Sequence, residues 1–337
     1  MNQSSWDAAG AHEVGPGVYR IPLPMPDDGL RAVNVYAICD GPRVVLVDSG
    51  LALEASRAQL EASLGELGYA LADVSECLVT HMHPDHYTGA VALRRALGTP
   101  IALGRGEGES LTAFQDTAAE DTRRAAELAR AGAKSLLDEM GELNWAPDPD
   151  SYGVPDRWLD DGDELPLATR TLRVVATPGH TRGHVVFYDD SAGALFAGDH
   201  VLPHITPSIG LESYSNNLPL RDYLASLRLV RARPDARLLP AHGPVTESAH
   251  ARVDELLAHH ADRLDATRAA VRDGADTAFT VAQALRWTRR ERRFAELDLF
   301  NRALAIGESQ AHLDVLADQG RLAVTEAPGQ AARYSMP

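Results

Sequence analysis

The stretch 79-VTHMHPDHYTG-89 places three histidines and an aspartate within six positions. Only 13 of the 337 residues are histidine, so this concentration needs a physical reason. His81 and His83 are two residues apart, and an extended backbone points such side chains to the same side. A proline then ends the strand, and the turn after it swings Asp85 and His86 toward a neighbouring point. Imidazoles with a carboxylate are a ligand set for Zn²⁺, Fe²⁺ or Mn²⁺, so the stretch predicts a metal site.

Three further candidate ligands each follow a predicted strand. They are His180 in ATPGHTRGH, Asp199 in FAGDH and His242 in LPAHG. Strand ends on one edge of a sheet converge in space, so ligands from distant parts of the chain can meet there. Seven candidate ligands are enough for two metals that share one carboxylate. We therefore expect two Zn²⁺ ions, with iron or manganese as alternatives.

The chain alternates predicted strands and helices, which indicates an α/β protein. Residues 105–160 interrupt this alternation with a long Ala-rich helical insertion, either a lid over a cleft or a packed pair of surface helices. From about residue 280, short predicted helices followed by a β-hairpin form the pattern of a winged helix. We therefore predict a catalytic domain at 1–275 and a winged-helix-like domain at 276–337.

The motifs THMHPDH, TPGHT, GDH and PAHG occur in the order found in the metallo-β-lactamase superfamily, which residues 15–250 resemble. The VDSG stretch at Asp48 also matches that family. The resemblance implies an αββα sandwich with the metal site in a cleft. The ligands that it implies are His81, His83 and His180 for the first metal, Asp85, His86 and His242 for the second, and Asp199 as the bridge.

The end of the chain is similar to a narrower group, β-lactamase-like protein 2. The PAHGPV stretch, the long helix after it and the winged-helix pattern carry this similarity. Some members of that group are single-strand endoribonucleases, and others are uncharacterised hydrolases.

Further roles are predicted for polar residues in and near these motifs. Asp85 and Asp199 are the predicted catalytic carboxylates, with Asp85 orienting the nucleophile or passing on its proton. Asp48 and Thr80 would orient ligand histidines, or would only cap strand ends. For His184 we expect a role outside the direct ligands. Possible substrate contacts are Tyr87, His200, His204 and Tyr214.

The composition limits the partners of the chain. A net charge of −16 opposes the binding of a polyanion over a broad surface. The N-terminus lacks a basic segment followed by an apolar one, and no apolar run approaches the ~20 residues that span a bilayer. We expect a cytoplasmic protein with no membrane partner. The sequence is compatible with either a monomer or a homo-oligomer.

These observations favour a zinc-dependent hydrolase of a small ester, thioester or lactone. A β-lactamase is disfavoured, because lactamases of the superfamily generally lack the bridging aspartate. The main alternative is an RNA endonuclease, but the expected recognition helix ESQAHLDVLADQG is acidic and has no Lys or Arg, which disfavours nucleic acid. An iron-dependent sulfur dioxygenase shares much of the ligand set, and a non-catalytic regulator is the third class.

Overall fold

The computed structural model describes residues 5–26, 29–115, 117–141, 149–210 and 218–337. Packing divides the chain into two compact units, and neither is a continuous stretch. The first contains Met1–Thr112, Pro147–Pro207 and Ser226–Val253, and the second contains Ala113–Ala146, Ser208–Ala225 and Asp254–Pro337. This division differs from the domain boundary after residue 275, which stays a prediction.

The first unit contains a seven-stranded sheet whose strands lie in chain order. The strands are β1 (His12–Gly15), β2 (Val18–Pro24), β3 (Ala32–Asp40), β4 (Arg43–Val47), β5 (Val74–Val79), β6 (Ile101–Gly104) and β7 (Arg157–Leu159). The strands pair antiparallel from β1 to β4 and parallel from β4 to β7. Helices α1 (Glu54–Glu66) and α2 (Pro84–Leu97) connect β4, β5 and β6, because parallel neighbours need a crossover.

A second sheet of five strands also belongs to the first unit. Its order is β12 (Arg237–Pro240), β11 (Ala194–Gly198), β10 (Val185–Asp189), β9 (Thr171–Ala176) and β8 (Glu164–Pro166). β11 and β12 are parallel and are connected through helix α6 (Pro219–Arg231), whereas the other neighbours are antiparallel.

Apolar side chains of the two sheets pack against each other and form the core of the first unit. Val45 and Val47 of the first sheet share one buried cluster with Phe187 and Phe196 of the second. The rings of Tyr36 and Phe196 meet edge to face, with centroids 5.4 Å apart. Each such side chain contributes about 1.5–3 kcal/mol on burial, so the paired sheets form a rigid base. The two packed sheets expected from the family resemblance are present.

The ends of strands from both sheets meet at one edge of this sandwich. The Val185 amide donates to the carbonyl of Thr80, just past β5, at 2.9 Å. The Ala241 amide, just past β12, donates to the carbonyl of Gly198 at 3.0 Å. Backbone hydrogen bonds therefore join the loop after β5 to the start of β10, and the loop after β12 to the end of β11.

Helix α2 lies unusually close to the loop after β4. A Cβ placed on Gly89 would lie 2.3 Å from the carbonyl oxygen of Ser49 and 2.6 Å from that of Gly50. The Gly89 amide donates to the Gly50 carbonyl at 2.9 Å. Only a glycine permits this approach, which fixes the helix carrying Asp85 and His86.

We expect Gly89→Ala to lower the free energy of unfolding by about 1–3 kcal/mol, since backbone must move to admit the methyl group. A urea titration measures the change. Gly65→Ala is the matched control, because Gly65 also lies in a helix but has no atom within 4 Å of its Cβ position. That variant should gain about 0.5–1 kcal/mol from helix propensity. Equal effects of the two substitutions would contradict the close approach.

The second unit is built around helices. Those that lie wholly or partly in it are α3 (Gly108–Gln115), α4 (Thr117–Arg130), α5 (Leu136–Gly141), α6, α7 (Ala249–Arg272), α8 (Ala278–Ala284) and α9 (Leu299–Asp318). Two short hairpins complete it, formed by β13 (Arg286–Trp287) with β14 (Arg292–Arg293) and by β15 (Ala323–Thr325) with β16 (Arg333–Ser335). Within the described ranges, no helix is long and apolar enough to cross a membrane.

The predicted helical insertion contains α3, α4 and α5, and α4 packs against the C-terminal elements of the second unit. Arg130 at the end of α4 forms two hydrogen bonds of 2.8 and 2.9 Å with the carboxylate of Asp314 on α9. The Phe279 amide of α8 donates to the Ala131 carbonyl at 2.9 Å. These contacts match the packed-helix interpretation of this segment, and its role as a lid stays a prediction.

The C-terminal segment differs in one respect from its prediction. The short helix α8 and the 20-residue helix α9 precede the expected β-hairpin, so the second of the predicted helices is longer than expected. Gly307 lies inside α9, where an added Cβ would be 2.7 Å from the carbonyl oxygen of Gly210. A close backbone contact therefore explains this glycine. The winged-helix assignment stays a prediction.

Two buried histidines form a hydrogen-bonded pair in the second unit. His312 Nδ1 donates to the Glu308 carbonyl at 2.7 Å, which leaves its Nε2 to accept from His260 Nδ1 at 3.3 Å. Burial lowers the pKa of His260 to about 2 and that of His312 to about 4. Both rings are therefore neutral in the folded protein at pH 5–7.

This pair predicts a loss of stability on acidification. In the unfolded chain these histidines have pKa values near 6.5, so below that pH they bind protons more readily than in the folded chain. The free energy of unfolding is therefore highest above about pH 6.5 and falls as the pH drops below it. We expect His260→Gln, which can still donate to His312, to make this fall shallower by up to about 1.4 kcal/mol per pH unit between pH 6 and 4. Urea titrations at several pH values measure both slopes. Parallel curves would contradict the prediction.

Candidate metal centre

All seven predicted ligands lie together where the strand ends meet. They form two groups, and within each group one potential ligand atom of every residue lies within 4.8 Å of the others. The first group contains His81, His83, His180 and Asp199, and the second contains Asp85, His86 and His242. The residues follow four strands, β5, β9, β11 and β12, and Asp85 and His86 lie in the first turn of α2. The sequence pattern therefore brings together the side chains that it predicts.

The turn after β5 delivers four of these side chains in six residues. His81 lies just past the end of β5, and His83 is the residue before the first turn of α2. Pro84 occupies the first helical position, where a missing amide hydrogen costs nothing. Asp85 and His86 follow in the first turn, where the positive end of the helix dipole favours a carboxylate.

The first group is dominated by histidine. His180 Nε2 lies 3.0 Å from His83 Nδ1 and 3.4 Å from Asp199 Oδ2. The ring centroid of His81 lies 4.6 Å from that of His83 and 4.9 Å from that of His180. Three imidazoles and one carboxylate oxygen thus face a common point, as zinc ligands do.

The second group contains one carboxylate between two imidazoles. Asp85 Oδ2 lies 3.3 Å from His86 Nε2 and 3.2 Å from His242 Nε2. The two histidine rings are almost perpendicular, with centroids 5.7 Å apart. This group alone offers three ligand atoms.

Asp199 lies between the two groups. Its Oδ2 is 3.4 Å from His180 Nε2 in the first group. Its Oδ1 is 3.4 Å from His242 Nε2 and 3.7 Å from His86 Nε2 in the second. Each oxygen of one carboxylate therefore faces a different set of histidines, which is the geometry that a shared ligand needs.

The ring nitrogens that point away from the centre have partners in the protein. His86 Nδ1 donates to Asp48 Oδ2 at 2.9 Å, and His242 Nδ1 donates to the Ala32 carbonyl at 2.8 Å. His81 Nδ1 donates to Thr80 Oγ1 at 3.1 Å, and this hydroxyl donates in turn to Asp48. In the neutral rings these bonds leave each Nε2 with a free lone pair for a metal.

The atoms that point into the centre have no such partners. His81 Nε2, His86 Nε2, His242 Nε2 and Asp199 Oδ1 are buried and accept or donate no hydrogen bond among the described residues. Buried polar atoms without partners are rare in folded proteins and call for a bound ion or water. The donor set and these four atoms therefore fit divalent cations.

The two groups differ in their electrostatics. Burial, together with the neighbouring histidines, holds the pKa of His81 well below its usual range and lowers that of His83 to about 3. Burial also opposes a charge on His242, but Asp199 and Asp85 outweigh it and raise its pKa to about 8. Three aspartates likewise overcome burial at His86 and raise its pKa. His81 and His83 are thus neutral imidazoles, whereas neighbouring aspartates favour the charged form of His86 and His242.

The remaining predicted residues lie in different environments. His184 accepts from the Asp199 amide at 3.2 Å and donates to Thr177, so it holds the backbone of Asp199. Tyr87 and His200 are fully buried, and contact of either one with substrate stays a prediction. The Tyr87 hydroxyl donates to the carbonyl of Gly153.

Two further predicted substrate contacts have separate outcomes. His204 is exposed, and its contact with substrate stays a prediction. Tyr214 lies outside the described residues.

Some residues around the centre gave no signal in the sequence. Glu107 is fully buried and accepts from the hydroxyl of Thr181, the neighbour of His180, at 2.5 Å. Asn34 is also fully buried and bonds to the loop that carries His242. Both lie more than 70 positions from the residues that they hold, so no local pattern marks them.

Comparison with known proteins agrees with this geometry. Residues 28–242 match the metallo-beta-lactamase superfamily. The chain belongs to this superfamily. All seven residues of the centre lie within the matched range, and the fold has the mixed sheets and helices of the family.

Curated relatives in the superfamily match parts of their own length. A "Beta-lactamase-like protein 2 homolog" from Caenorhabditis elegans is 34% identical over 241 residues, which are 69% of this chain and 63% of that protein. An "Atrochrysone carboxyl ACP thioesterase" from Emericella nidulans is 24% identical over 73% of this chain and 61% of that protein. The chain spans less than two thirds of the length of these relatives.

Two solved structures of the superfamily match nearly the whole chain. A metallo-beta-lactamase family protein from Thermus thermophilus is 32% identical, with a TM-score of 0.78, and covers 96% of this chain and all of its own. A beta-lactamase domain protein from Burkholderia ambifaria is 28% identical, with a TM-score of 0.82, and covers 99% of this chain and 96% of its own.

The contact between Asp48 and His86 generates a test of the centre. In Asp48→Asn, an amide NH₂ would replace one of the acceptor oxygens, which would favour the His86 tautomer whose Nε2 carries the proton. We expect the affinity of the second group for Zn²⁺ to fall about 10–100-fold. Equilibrium dialysis measures it, with Asp40→Asn, at the opposite end of the sheet, as the control. Equal Zn²⁺ affinity in wild type and Asp48→Asn would show that Asp48 does not orient His86.

Proposed function

We propose that the protein is a hydrolase that uses two divalent cations, most suitably Zn²⁺, to cleave a small acyl substrate such as an ester, thioester or lactone. The position of Asp199 carries the proposal, because its two oxygens face separate histidine groups. His81, His83 and His180 would hold one cation, and Asp85, His86 and His242 the other. Cations there would supply a water activated at neutral pH and positive charge for the oxygen of the scissile carbonyl.

The residues of the chain supply orientation and a proton acceptor. Asp85 is ionised, because His86 and His242 outweigh the effect of burial and lower its pKa. About 9% of Asp85 remains exposed, so its carboxylate can accept a hydrogen bond from a water that enters the centre. It would orient this water toward the acyl carbon and pass a proton to the leaving group.

A thioester is the substrate class that the relatives favour. Two curated relatives are named as carboxyl acyl-carrier-protein thioesterases, at 24% and 25% identity. A thiolate is a good leaving group, so this chemistry asks little of a general acid. Asp199 as the shared ligand also separates the centre from the lactamase arrangement, as the sequence predicts.

The first experiment removes the metal and the shared ligand. Dialysis against a chelator should abolish hydrolysis of a panel of acyl thioesters, esters and lactones, and added Zn²⁺ should restore it. Asp199→Ala should lower kcat/KM by more than about 100-fold, because both groups lose a ligand. Asp273→Ala, which removes an exposed aspartate paired with Arg272, is the control and should keep full activity.

Other outcomes separate the alternatives. Chelator-sensitive cleavage of single-stranded RNA without thioester hydrolysis would favour the endonuclease. Bound iron with oxygen consumption would favour the sulfur dioxygenase. Metal-free protein after purification in Zn²⁺-containing buffer would contradict every metalloenzyme hypothesis.

A further inference from the structure

Asn34 of β3 lies behind the loop that carries His242. Its Nδ2 donates to the carbonyl of Pro240 at 2.9 Å and to that of Gly243 at 2.8 Å. Its backbone amide donates to the carbonyl of Ala241 at 2.6 Å. One fully buried residue thus makes three hydrogen bonds to three residues that surround His242.

A second buried side chain fixes the orientation of the Asn34 amide. Arg20 Nη1 donates to Asn34 Oδ1 at 3.1 Å. A guanidinium can only donate, so the amide oxygen must face Arg20 and the NH₂ group must face the loop. The amide therefore cannot turn over without losing all three of its side-chain hydrogen bonds.

The same strand holds the His242 loop at two more points. The Ala32 carbonyl accepts from His242 Nδ1 at 2.8 Å, and the Tyr36 hydroxyl donates to the Pro240 carbonyl at 2.8 Å. Residues 32, 34 and 36 alternate along β3, so their contacts follow one edge of the loop. Asn34 is the middle contact and the one with the most bonds.

We propose that Asn34 is a positioning residue that sets the metal affinity of the second group by holding His242 in place. The proposal rests on the metal centre of the proposed function. His81, His83 and His180 come from other loops than the one that Asn34 holds, so the first group should be unaffected. Asn34 would thereby control whether the protein holds one cation or two.

The test is Zn²⁺ binding to chelator-treated full-length protein, measured by calorimetry and by metal content. Asn34→Asp is nearly isosteric and keeps the acceptor for Arg20, but it places a carboxylate against two carbonyl oxygens. We expect the weaker of two Zn²⁺ affinities to fall about 10–100-fold and the stronger to stay unchanged. Metal content after dialysis should fall from two ions toward one.

Ser75→Ala is the matched control. The Ser75 hydroxyl also donates from one strand of the sheet to a backbone carbonyl, that of Val44, at 3.2 Å, but at the end of the sheet remote from the ligands. It should bind two Zn²⁺ ions like the wild type. Loss of the second ion in this control as well would show that general loosening of the sheet, and not Asn34, is responsible.

A double-mutant cycle with His242→Ala tests the route of the effect. If Asn34 acts through His242, Asn34→Asp should cost no further Zn²⁺ affinity once His242 is removed. Additive losses would overturn the proposal, because they indicate a general structural role. Unchanged affinity in the single variant would overturn it too, while leaving the proposed function intact. A wild type that binds no Zn²⁺ would instead refute the proposed function.

Discussion

The first unit depends on one constraint, because four polar atoms that have no hydrogen bond among the described residues are buried at one point. They belong to His81, His86, His242 and Asp199. Leaving each such atom unpaired costs about 1–3 kcal/mol, and the cost disappears only if a ligand satisfies it. The two packed sheets must therefore provide enough stability to hold strand ends together against this cost. The apolar side chains buried between the sheets contribute to this stability.

The outer contacts of the imidazoles make the centre asymmetric. Asp48 receives hydrogen bonds from both His86 and Thr80, so one carboxylate orients ligands of both groups. Each group contains one carboxylate, but the second also has Asp48 hydrogen-bonded to its His86. The first group would offer a cation three imidazoles and one carboxylate, and the second would offer it two imidazoles and one carboxylate. The two positions should differ in affinity and in sensitivity to their surroundings.

Much of this centre was predictable, because its signals are local. Proline and the histidine spacing in HMHPDH fix the turn after β5, and Gly or Pro beside His180 and His242 marks the other strand ends. Features that depend on distant packing left no such signal. Inside α9, the backbone of Gly210 closely approaches Gly307, a contact that no local pattern marks. Asn34 is separated from Pro240 by 206 positions, so only the folded sheet reveals its role.

The residues that bear on the reaction class and those that bear on the substrate lie in different parts of the chain. The seven candidate ligands lie inside residues 28–242, the range that matches the superfamily. Helices α8 and α9 and both C-terminal hairpins lie beyond that range. Substrate choice depends on side chains that surround a centre, and these vary among proteins that share one fold. The metal centre therefore argues for hydrolysis through the geometry of Asp199, whereas the argument for a thioester comes from the relatives.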